Sequence, residues 1–296
     1  MTAGTLITVA PTGAEHAKSD VPELPVTLDE LVRTAQECER LGAAMVHVHV
    51  RDDDARPTLD LARLRETVQA LRTETHLVVQ LSTGGAVTDQ EADRLAVLDA
   101  LPDSASCTMG TVNFGAEVFL NRWPFIVAVH RGMQQRGIVP EYEIFDLGQL
   151  TSLRRLLDEH GAPAVGHVHV DLVMGVPGGM PGDTATLVTA ATTLAAFDPS
   201  ATFSATGIGR SHLPVALAAL SAGGHLRVGM EDTLSFARGR RVSGNAELVA
   251  RAAELARIAQ RPPFSTDEGR ALLGASQNRL RPIVSRSGPD ETDPSV

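Results

Sequence analysis

The feature that most constrains this chain is a repeated alternation of short apolar runs with longer amphipathic stretches. The candidate strands are residues 5–10, 43–50, 76–82, 104–110, 139–145, 164–174, 201–207 and 225–230. The helical patterns cover residues 28–41, 60–72, 89–100, 116–136, 147–160, 184–196, 212–222 and 245–260. Strands that alternate with helices form parallel sheets. Eight such units in 296 residues predict an α/β protein, a single-domain (β/α)8 TIM barrel.

Local signals mark the ends of several helices. The spacing predicts capping boxes of Thr27 with Glu30 and of Thr88 with Glu91. Glycines at 42, 137, 161 and 223 stand where four helices should end. The main rival fold, an open doubly wound sheet, usually has a glycine-rich phosphate loop after its first strand. Here the long polar stretch APTGAEHAKSDVPELPVT follows instead. We expect one catalytic domain over residues 1–282 and a disordered polar tail over 283–296.

The charge of the chain excludes several classes of partner. The formal net charge of −10 argues against nucleic acid or an anionic membrane surface as the main partner, although local arginines can still hold a small anion. No stretch approaches the roughly 18 consecutive apolar residues of a membrane span. The N-terminus lacks the basic segment of a signal peptide. We therefore expect a cytoplasmic protein in which Cys38 and Cys107 are small buried hydrophobes.

The stretch VHVHVRD places two histidines on one face of the second strand, because side chains of a strand alternate in direction. In the eighth strand, Arg227 and Glu231 share a face by the same period. The second and eighth strands both flank the first in a closed barrel, so His47, His49 and Glu231 can converge at its mouth. Two histidines and one carboxylate are typical of catalytic zinc and also suit non-haem iron. Core packing of the two histidines remains the alternative.

A second histidine pair, His167 and His169, lies early in the sixth strand. That position is deep in the barrel, away from the catalytic end, and favours packed or hydrogen-bonded core histidines. Glu141 and Glu143 share a face of the fifth strand. Charged groups that point into a barrel need partners, and Arg227 is the candidate partner; exposure near the strand end is the alternative.

Two loops at predicted strand ends carry weaker signals. Ser82 in STGG is positioned to donate to a substrate oxygen or to cap the turn, and Gly84 and Gly85 allow close approach of a ligand. Arg210 in TGIGR is either an anion-binding residue or a solvated arginine. The sequence leaves both choices open.

Several stretches together resemble the β-keto acid cleavage enzyme family. They are TGAEHAKSDVPELPVTLDEL, GAAMVHVHVRD, QLSTGG, TMGTVNFG, PEYEIFD, GIGRSHLP, GGHLRVGMED and SGNAELV, in the order of the family, over residues 11–249. The resemblance implies a (β/α)8 barrel with one Zn²⁺ per chain held by His47, His49 and Glu231. It also implies a reaction of a β-keto acid with acetyl-CoA as co-substrate, which yields acetoacetate and a new acyl-CoA.

The resemblance further implies substrate or catalytic roles for a set of polar residues. They are Ser82, Thr108, Glu143, Arg227 and Asp232, with Glu15 where a relative meets a substrate ammonium. It implies small-molecule partners and a homo-oligomer, a tetramer. The HVHV start of the sixth strand departs from the more apolar pattern of the family.

Chemistry explains why such residues would be needed. Cleavage of a carbon–carbon bond beside a ketone leaves an enolate, which a metal ion stabilises and which needs a base, for which Asp232 is the candidate. Neighbouring residues of a strand end point in different directions, so we expect Asp232 to be free while Glu231 binds metal. Arg227 would orient Asp232 or Glu143. Arg210 and the RGRR stretch at 238–241 are candidates for binding coenzyme A.

Two other functions remain open at this point. One is a metal-dependent hydrolase of the amidohydrolase kind, although such barrels usually carry the histidine pair on the first strand and further histidines at the fifth and sixth. The other is a non-catalytic barrel that binds a metabolite. The presence of Asp232 and Arg227 counts against that second alternative.

Overall fold

The computed structural model describes residues 4–275 and shows a closed barrel of parallel strands. The barrel strands are β1 Ile7–Val9, β2 Met45–Val48, β3 Val78–Leu81, β4 Ser104–Thr108, β5 Val139–Ile144, β6 His169–Met174, β7 Thr202–Gly207 and β8 His225–Val228. Strand β1 closes the barrel between β2 and β8, with Thr8 opposite Arg227. The predicted (β/α)8 barrel is confirmed.

Helices follow the barrel strands in turn. They are α1 Leu28–Leu41, α2 Leu61–Glu74, α3 Glu91–Ala96, α4 Trp123–Arg136, α5 Gly148–His160, α6 Thr184–Phe197, α7 His212–Ser221, α8 Asn245–Ile258 and α9 Thr266–Leu273. Helix α9 was not predicted from the sequence. Its Leu273 packs with Leu6, Met45 and Val78 under the amino ends of the strands, so α9 closes the floor of the barrel.

The predicted helix over 116–136 is wrong in its first part. Residues Val112–Phe114 and Glu117–Phe119 form an antiparallel hairpin, and α4 begins only at Trp123. Proline fits the first turn of a helix but not its interior. A helix that began at residue 116 would bury Pro124 in its interior, whereas the observed start leaves it in the first turn.

One of the two predicted capping boxes forms. The Thr27 hydroxyl accepts from the Glu30 amide at 3.3 Å, and Glu30 accepts from the Thr27 amide at 3.1 Å. The box of Thr88 with Glu91 is wrong, because α3 starts at Glu91 and that carboxylate binds Arg122 instead, at 3.0 Å from Nε.

The inside of the barrel is polar, unlike the aliphatic filling of most barrels of this type. Its buried polar side chains include Thr8, Gln80, Ser104, Glu141, His169, Asp171, Ser204 and Thr206. His169 contacts the hydroxyls of Thr202 and Ser204 and lies 3.3 Å from Glu141. The prediction of hydrogen-bonded core histidines is therefore confirmed for His169.

His167 lies outside the sixth strand, which begins at His169 rather than at residue 164. The preceding backbone turns at Gly166 with a φ of 72°. The ring of His167 is half-buried and contacts the Thr202 hydroxyl at 2.8 Å. Arg227 pairs with Glu143 but not with Glu141, which accepts from Gln80 at 2.9 Å.

Cys38 and Cys107 are both buried and free, as predicted. No helix within residues 4–275 is long and apolar enough to cross a membrane. The predicted polar tail over 283–296 lies outside the described residues.

Candidate active site

A cavity of about 420 Å³ lies at the carboxyl ends of the barrel strands. Polar residues at its base include His47, His49, Ser82, Glu143, Arg227 and Glu231. Active sites of this fold form at this end of the barrel, from the ends of several strands.

His47, His49 and Glu231 converge at the base of the cavity. The Nε2 atoms of His47 and His49 lie 3.7 Å and 3.6 Å from Oε1 of Glu231, and one ligand atom from each residue lies within 4.8 Å of the others. Ligands about 2.1 Å from a tetrahedral zinc ion are roughly 3.4 Å apart. The three residues therefore have the separations of a zinc site.

The protonation of the three residues also fits a divalent cation. Burial, together with the nearby Arg227 guanidinium, lowers the pKa of His47 to about 4, and burial lowers the pKa of His49. Burial opposes ionisation of Glu231, but Arg227 and the two histidines hold the pKa of its carboxyl at about 2. Its Oε2 is buried and accepts no hydrogen bond from any residue in the described range. Two neutral imidazoles, a carboxylate and an unpartnered oxygen match a metal site.

Gln80 fixes the ring of His47. Its side-chain oxygen contacts Nδ1 of His47, which makes that nitrogen the donor and leaves the Nε2 lone pair for a ligand. The Gln80 amide nitrogen in turn donates to Ser104 at 3.0 Å and to Glu141 at 2.9 Å. Sequence reasoning missed Gln80, although it shares a strand face with Ser82 in QLS.

Arg227 gathers four carboxylates around one guanidinium. It binds Glu231, and it lies 3.0 Å from Asp232, 3.4 Å from Glu143 and 3.8 Å from Asp171. The expectation that Glu231 and Asp232 point in different directions is wrong. Strand β8 ends at Val228, and the amide of Asp232 turns back to the carbonyl of Gly229 at 3.1 Å. This turn directs both carboxylates to the same guanidinium.

Asp232 and Glu143 are buried carboxyl groups of the site whose pKa values are raised. Burial raises the pKa of Asp232 to about 7 against the opposing charge of Arg227, and the neighbouring Glu231 raises it further. Burial likewise raises the pKa of Glu143 to about 7. Groups that titrate near neutral pH are suited to general acid–base catalysis.

Ser82 and Thr108 have different places in the site. Ser82 lines the cavity, and its Oγ accepts from the Gly84 amide at 3.0 Å. The predicted turn cap is therefore observed, and because a hydroxyl that accepts still has its proton to donate, donation to a substrate oxygen stays a prediction. Thr108 lies behind the cavity and donates to Oε2 of Glu143 at 2.7 Å. Gly84 and Gly85 line the cavity beside Ser82.

The remaining predicted residues lie at the rim or outside the cavity. Glu15 lines the rim and is exposed. Arg210 is exposed in a separate cavity of about 380 Å³, with Gly175 and Ser211, so it does not line the main one. In the RGRR stretch, Arg240 pairs with Glu247.

Other residues of the site were missed from the sequence. Buried Arg51 donates to the carbonyls of Gly13 at 2.6 Å and His16 at 2.9 Å, so it anchors the long loop that carries Glu15. Its position directly after the two histidines was the available signal. Of the aromatic side chains that line the cavity, Phe119 was missed because it lies in the first part of residues 116–136, which was predicted to be helical.

Comparison with known proteins agrees with this arrangement. A family model described as beta-keto acid cleavage enzyme matches residues 5–275. The chain is 34% identical over 278 residues to 3-keto-5-aminohexanoate cleavage enzyme of Acetoanaerobium sticklandii, which covers 92% of this chain and 98% of that protein. It is 34% identical over 275 residues to 3-oxoadipate:acetyl-CoA acetyltransferase of Cupriavidus necator, covering 93% and 96% respectively.

Among solved structures, the apo structure of ObcA is similar with a TM-score of 0.75 at 20% identity, covering 86% of this chain and 66% of that chain. A type I 3-dehydroquinate dehydratase from Clostridium difficile gives a TM-score of 0.56 at 10% identity, covering 87% and 92%. At these identities the likeness concerns the fold alone. The family match over residues 5–275 and the 34% identical relatives establish that this chain belongs to the β-keto acid cleavage enzyme family.

Proposed function

We propose that this protein is a zinc-dependent enzyme that converts a β-keto acid and acetyl-CoA into acetoacetate and a new acyl-CoA. The observation that carries the proposal is the convergence of His47, His49 and Glu231 beside Asp232 in one cavity. The names of relatives support it, since one is a cleavage enzyme for a keto acid and another transfers an acetyl group from acetyl-CoA.

The overall reaction defines which bonds must change. The α-carbon of the β-keto acid loses a proton and attacks the acetyl carbonyl, and the coenzyme A thiolate leaves. That thiolate then attacks the original ketone of the acid, and the bond between this ketone carbon and the α-carbon breaks. The departing carbanion is acetoacetate lacking one proton, which returns from the base. Atoms and charge balance with no oxidant or reductant.

Each residue of the cavity has a separate role in this reaction. Asp232 takes and returns the α-carbon proton, because its raised pKa allows both states near neutral pH. Arg227 orients Asp232 and Glu143 by direct contact. Ser82 donates to a substrate oxygen. A divalent ion on His47, His49 and Glu231 would supply Lewis-acid stabilisation of enolate charge, a contribution typically worth about 3 kcal/mol or more.

Acetyl-CoA would enter at the same end of the barrel. Its phosphates need basic groups, since the protein is acidic overall. Arg210 follows β7, and Arg238 lies between Ser235–Ala237 and Arg240–Arg241, two short antiparallel strands after β8. Both arginines are exposed at the carboxyl ends of the barrel strands. We propose that these arginines bind the anionic end of the co-substrate.

One assay separates this function from a hydrolase and from a binding protein. Zinc-loaded protein is incubated with β-keto acids and acetyl-CoA, and acyl-CoA, free thiol and acetoacetate are measured. The proposed enzyme forms acyl-CoA and acetoacetate in equal amounts, whereas a hydrolase releases free thiol without acyl-CoA and a binding protein gives neither. His47→Ala should lose zinc and turnover, whereas His167→Ala should retain both.

We also propose a homo-oligomer, in line with the tetramer that the family resemblance implies. Helices α6 and α7 contain no Asp, Glu, Lys or Arg, and Val188 and Leu217 on them are 48% and 47% exposed. A groove of about 560 Å³ lies between these helices. An acidic protein self-associates most readily through an uncharged face, which supports a second copy of the chain as the occupant.

A further inference from the structure

We infer that the β-keto acid used by this protein carries an uncharged, apolar acyl chain. This inference rests on the proposed function and narrows its substrate class. It follows from how charged and apolar side chains are distributed around the mouth of the barrel.

The mouth has two sectors. Strands β2 and β8 and the loops after β1, β2 and β8 contribute titratable groups, which include Glu15, His47, His49, Arg227, Glu231 and Asp232. The loops and ends of β3 to β7 contribute Val87, Phe114, Phe119, Phe145, Val173, Val176 and Ile208, which we call the apolar wall. These five strands are consecutive around the barrel, so the wall is continuous and faces the metal-binding residues. A substrate whose ketone lies at the metal site would extend its acyl chain along this wall.

The apolar wall is preorganised. Phe114, Phe119 and Phe145 pack edge to face with ring centroids 6.3–6.4 Å apart. Buried Arg94 fixes the hairpin that carries two of them: it donates to the carbonyls of Thr83 and Leu120, each at 2.7 Å, and stacks on Phe119. A wall held in this way binds an apolar chain without a large ordering penalty.

The wall offers no partner for a second charge on the acyl chain. Among the side chains from β3 to β7 that line the cavity, only Ser82 and Glu143 are polar. Arg227 already contacts four carboxylates, so it cannot neutralise a further one from the substrate. Glu15 lies at the exposed rim, where water screens its attraction for a cation. A charged acyl chain would therefore lose hydration without compensation.

The wall suits the acid better than it suits coenzyme A. The pantetheine arm contains two amides and a hydroxyl, and burial of such groups against phenylalanine and valine leaves them without hydrogen-bond partners. An aliphatic chain loses nothing by the same contact. Each methylene placed on the wall should raise kcat/KM by about four-fold until the cavity is filled.

The test uses two pairs of acids of equal size and shape. The first pair is 5-methyl-3-oxohexanoate and 3-keto-5-aminohexanoate, which differ by a methyl against an ammonium. The second is 6-methyl-3-oxoheptanoate and 3-oxoadipate, which differ by an isopropyl against a carboxylate. With zinc-loaded protein and acetyl-CoA, we expect the uncharged member of each pair to have a kcat/KM about 100-fold higher.

A matched pair of variants tests the wall itself. Val87→Lys places an ammonium on the wall and should raise the kcat/KM ratio of 3-oxoadipate to its uncharged partner by at least about ten-fold. Val118→Lys makes the same change on the hairpin at a side chain that is 52% exposed and outside the cavity, and it should leave the ratio unchanged.

The outcomes distinguish the inference about the acyl chain from the proposed function on which it rests. A higher kcat/KM for either charged acid in the wild-type protein overturns the inference and leaves the proposed function standing. Equal shifts from both lysine variants also overturn it, because the wall would then have no special role. Absence of acyl-CoA from every acid overturns the proposed function and the inference together.

Discussion

At the scale of single residues, Arg227 determines the charge of the site. One guanidinium cannot fully neutralise four carboxylates. Burial raises the pKa values of Glu143 and Asp232 to about 7, whereas Arg227 and the two histidines lower the pKa of Glu231 to about 2. Of the four, Glu231 is the permanent carboxylate, Glu143 and Asp232 titrate near neutral pH, and burial raises the pKa of Asp171 well above its ordinary value.

Substitution of Asp232 separates the base from the metal site. Asp232→Asn keeps the size and can still form the turn, but it cannot take a proton. We expect kcat to fall by roughly 10²–10⁴-fold while zinc content is retained. Steady-state kinetics together with metal analysis measure both quantities.

Glu231→Gln is the counterpart: unlike Asp232→Asn, it should lower the affinity for zinc. Near-normal turnover of Asp232→Asn would remove Asp232 from the mechanism and move the base to Glu143, whose pKa is also about 7.

A second residue-scale prediction concerns Gln80. Gln80→Leu removes the acceptor that fixes His47, so zinc affinity should fall by about 10–100-fold, as read from competition with a chelator. Ser104→Ala is the control, because it removes another hydrogen bond of the same amide and leaves His47 untouched. Equal losses in the two variants would indicate general loosening of the barrel interior.

At the scale of elements, the sequence predicted the features that depend on residues close together in the chain. The strand and helix alternation and the box of Thr27 with Glu30 depend on nearby residues and were correct. The hairpin over 112–119 depends on contacts from Arg94, which lies far away in the chain, so an amphipathic pattern was mistaken for helix. The convergence of His47, His49 and Glu231 was predictable from strand alternation and barrel order. The turn after β8 was not, because residues far away in the chain hold it: the Glu231 amide donates to the carbonyl of Ala10 and the Met230 amide to the side chain of Asn245.

The hairpin supplies an element-scale prediction. Arg94→Lys keeps the charge but loses the fork that binds the carbonyls of Thr83 and Leu120. Unsatisfied buried carbonyls should lower the free energy of unfolding by about 1–3 kcal/mol, measured by urea denaturation. Arg122→Lys, whose side chain is 64% exposed, should lower it by less than about 1 kcal/mol. A larger effect at Arg122 than at Arg94 would contradict this assignment.

At the scale of the whole molecule, the buried side chain of His225 makes the free energy of unfolding depend on pH. His225 accepts from the Leu6 amide at 3.0 Å, and burial lowers its pKa to about 2, so it stays neutral in the fold. The unfolded chain protonates it near pH 6.5. Its contribution to stability is present above pH 6.5 and is lost as pH falls from 6.5 towards 2.

The corresponding experiment compares wild type with His225→Gln, which keeps an acceptor but does not titrate. Between pH 6 and 4, the unfolding free energy of the wild type should fall more steeply, by up to about 1.4 kcal/mol per pH unit. Urea denaturation with excess chelator excludes a contribution from metal release. Parallel pH dependences would show that His225 is not a source of acid sensitivity.

The uncharged face of α6 and α7 gives a prediction about assembly. Leu217→Glu places a charge in the groove and should reduce the sedimenting mass at micromolar concentration. Ile258→Glu on α8 is the control, since that side chain is 69% exposed and lies outside the groove. A wild-type protein that sediments as a monomer of about 31.3 kDa would refute the oligomer itself.

The two sectors of the mouth also bear on how such enzymes diverge. Two relatives, each 34% identical to this chain, are named for different acids, one with an amino group and one with a second carboxyl. In the proposed enzyme, the apolar wall lies on other strands and loops than the metal-binding residues and Asp232, so substitutions in the wall can change the acid that is accepted without moving those groups. For laboratory evolution this defines a small library. Randomising Val87, Phe114 and Val176 should yield variants that accept other β-keto acids, and few of the variants should be inactive.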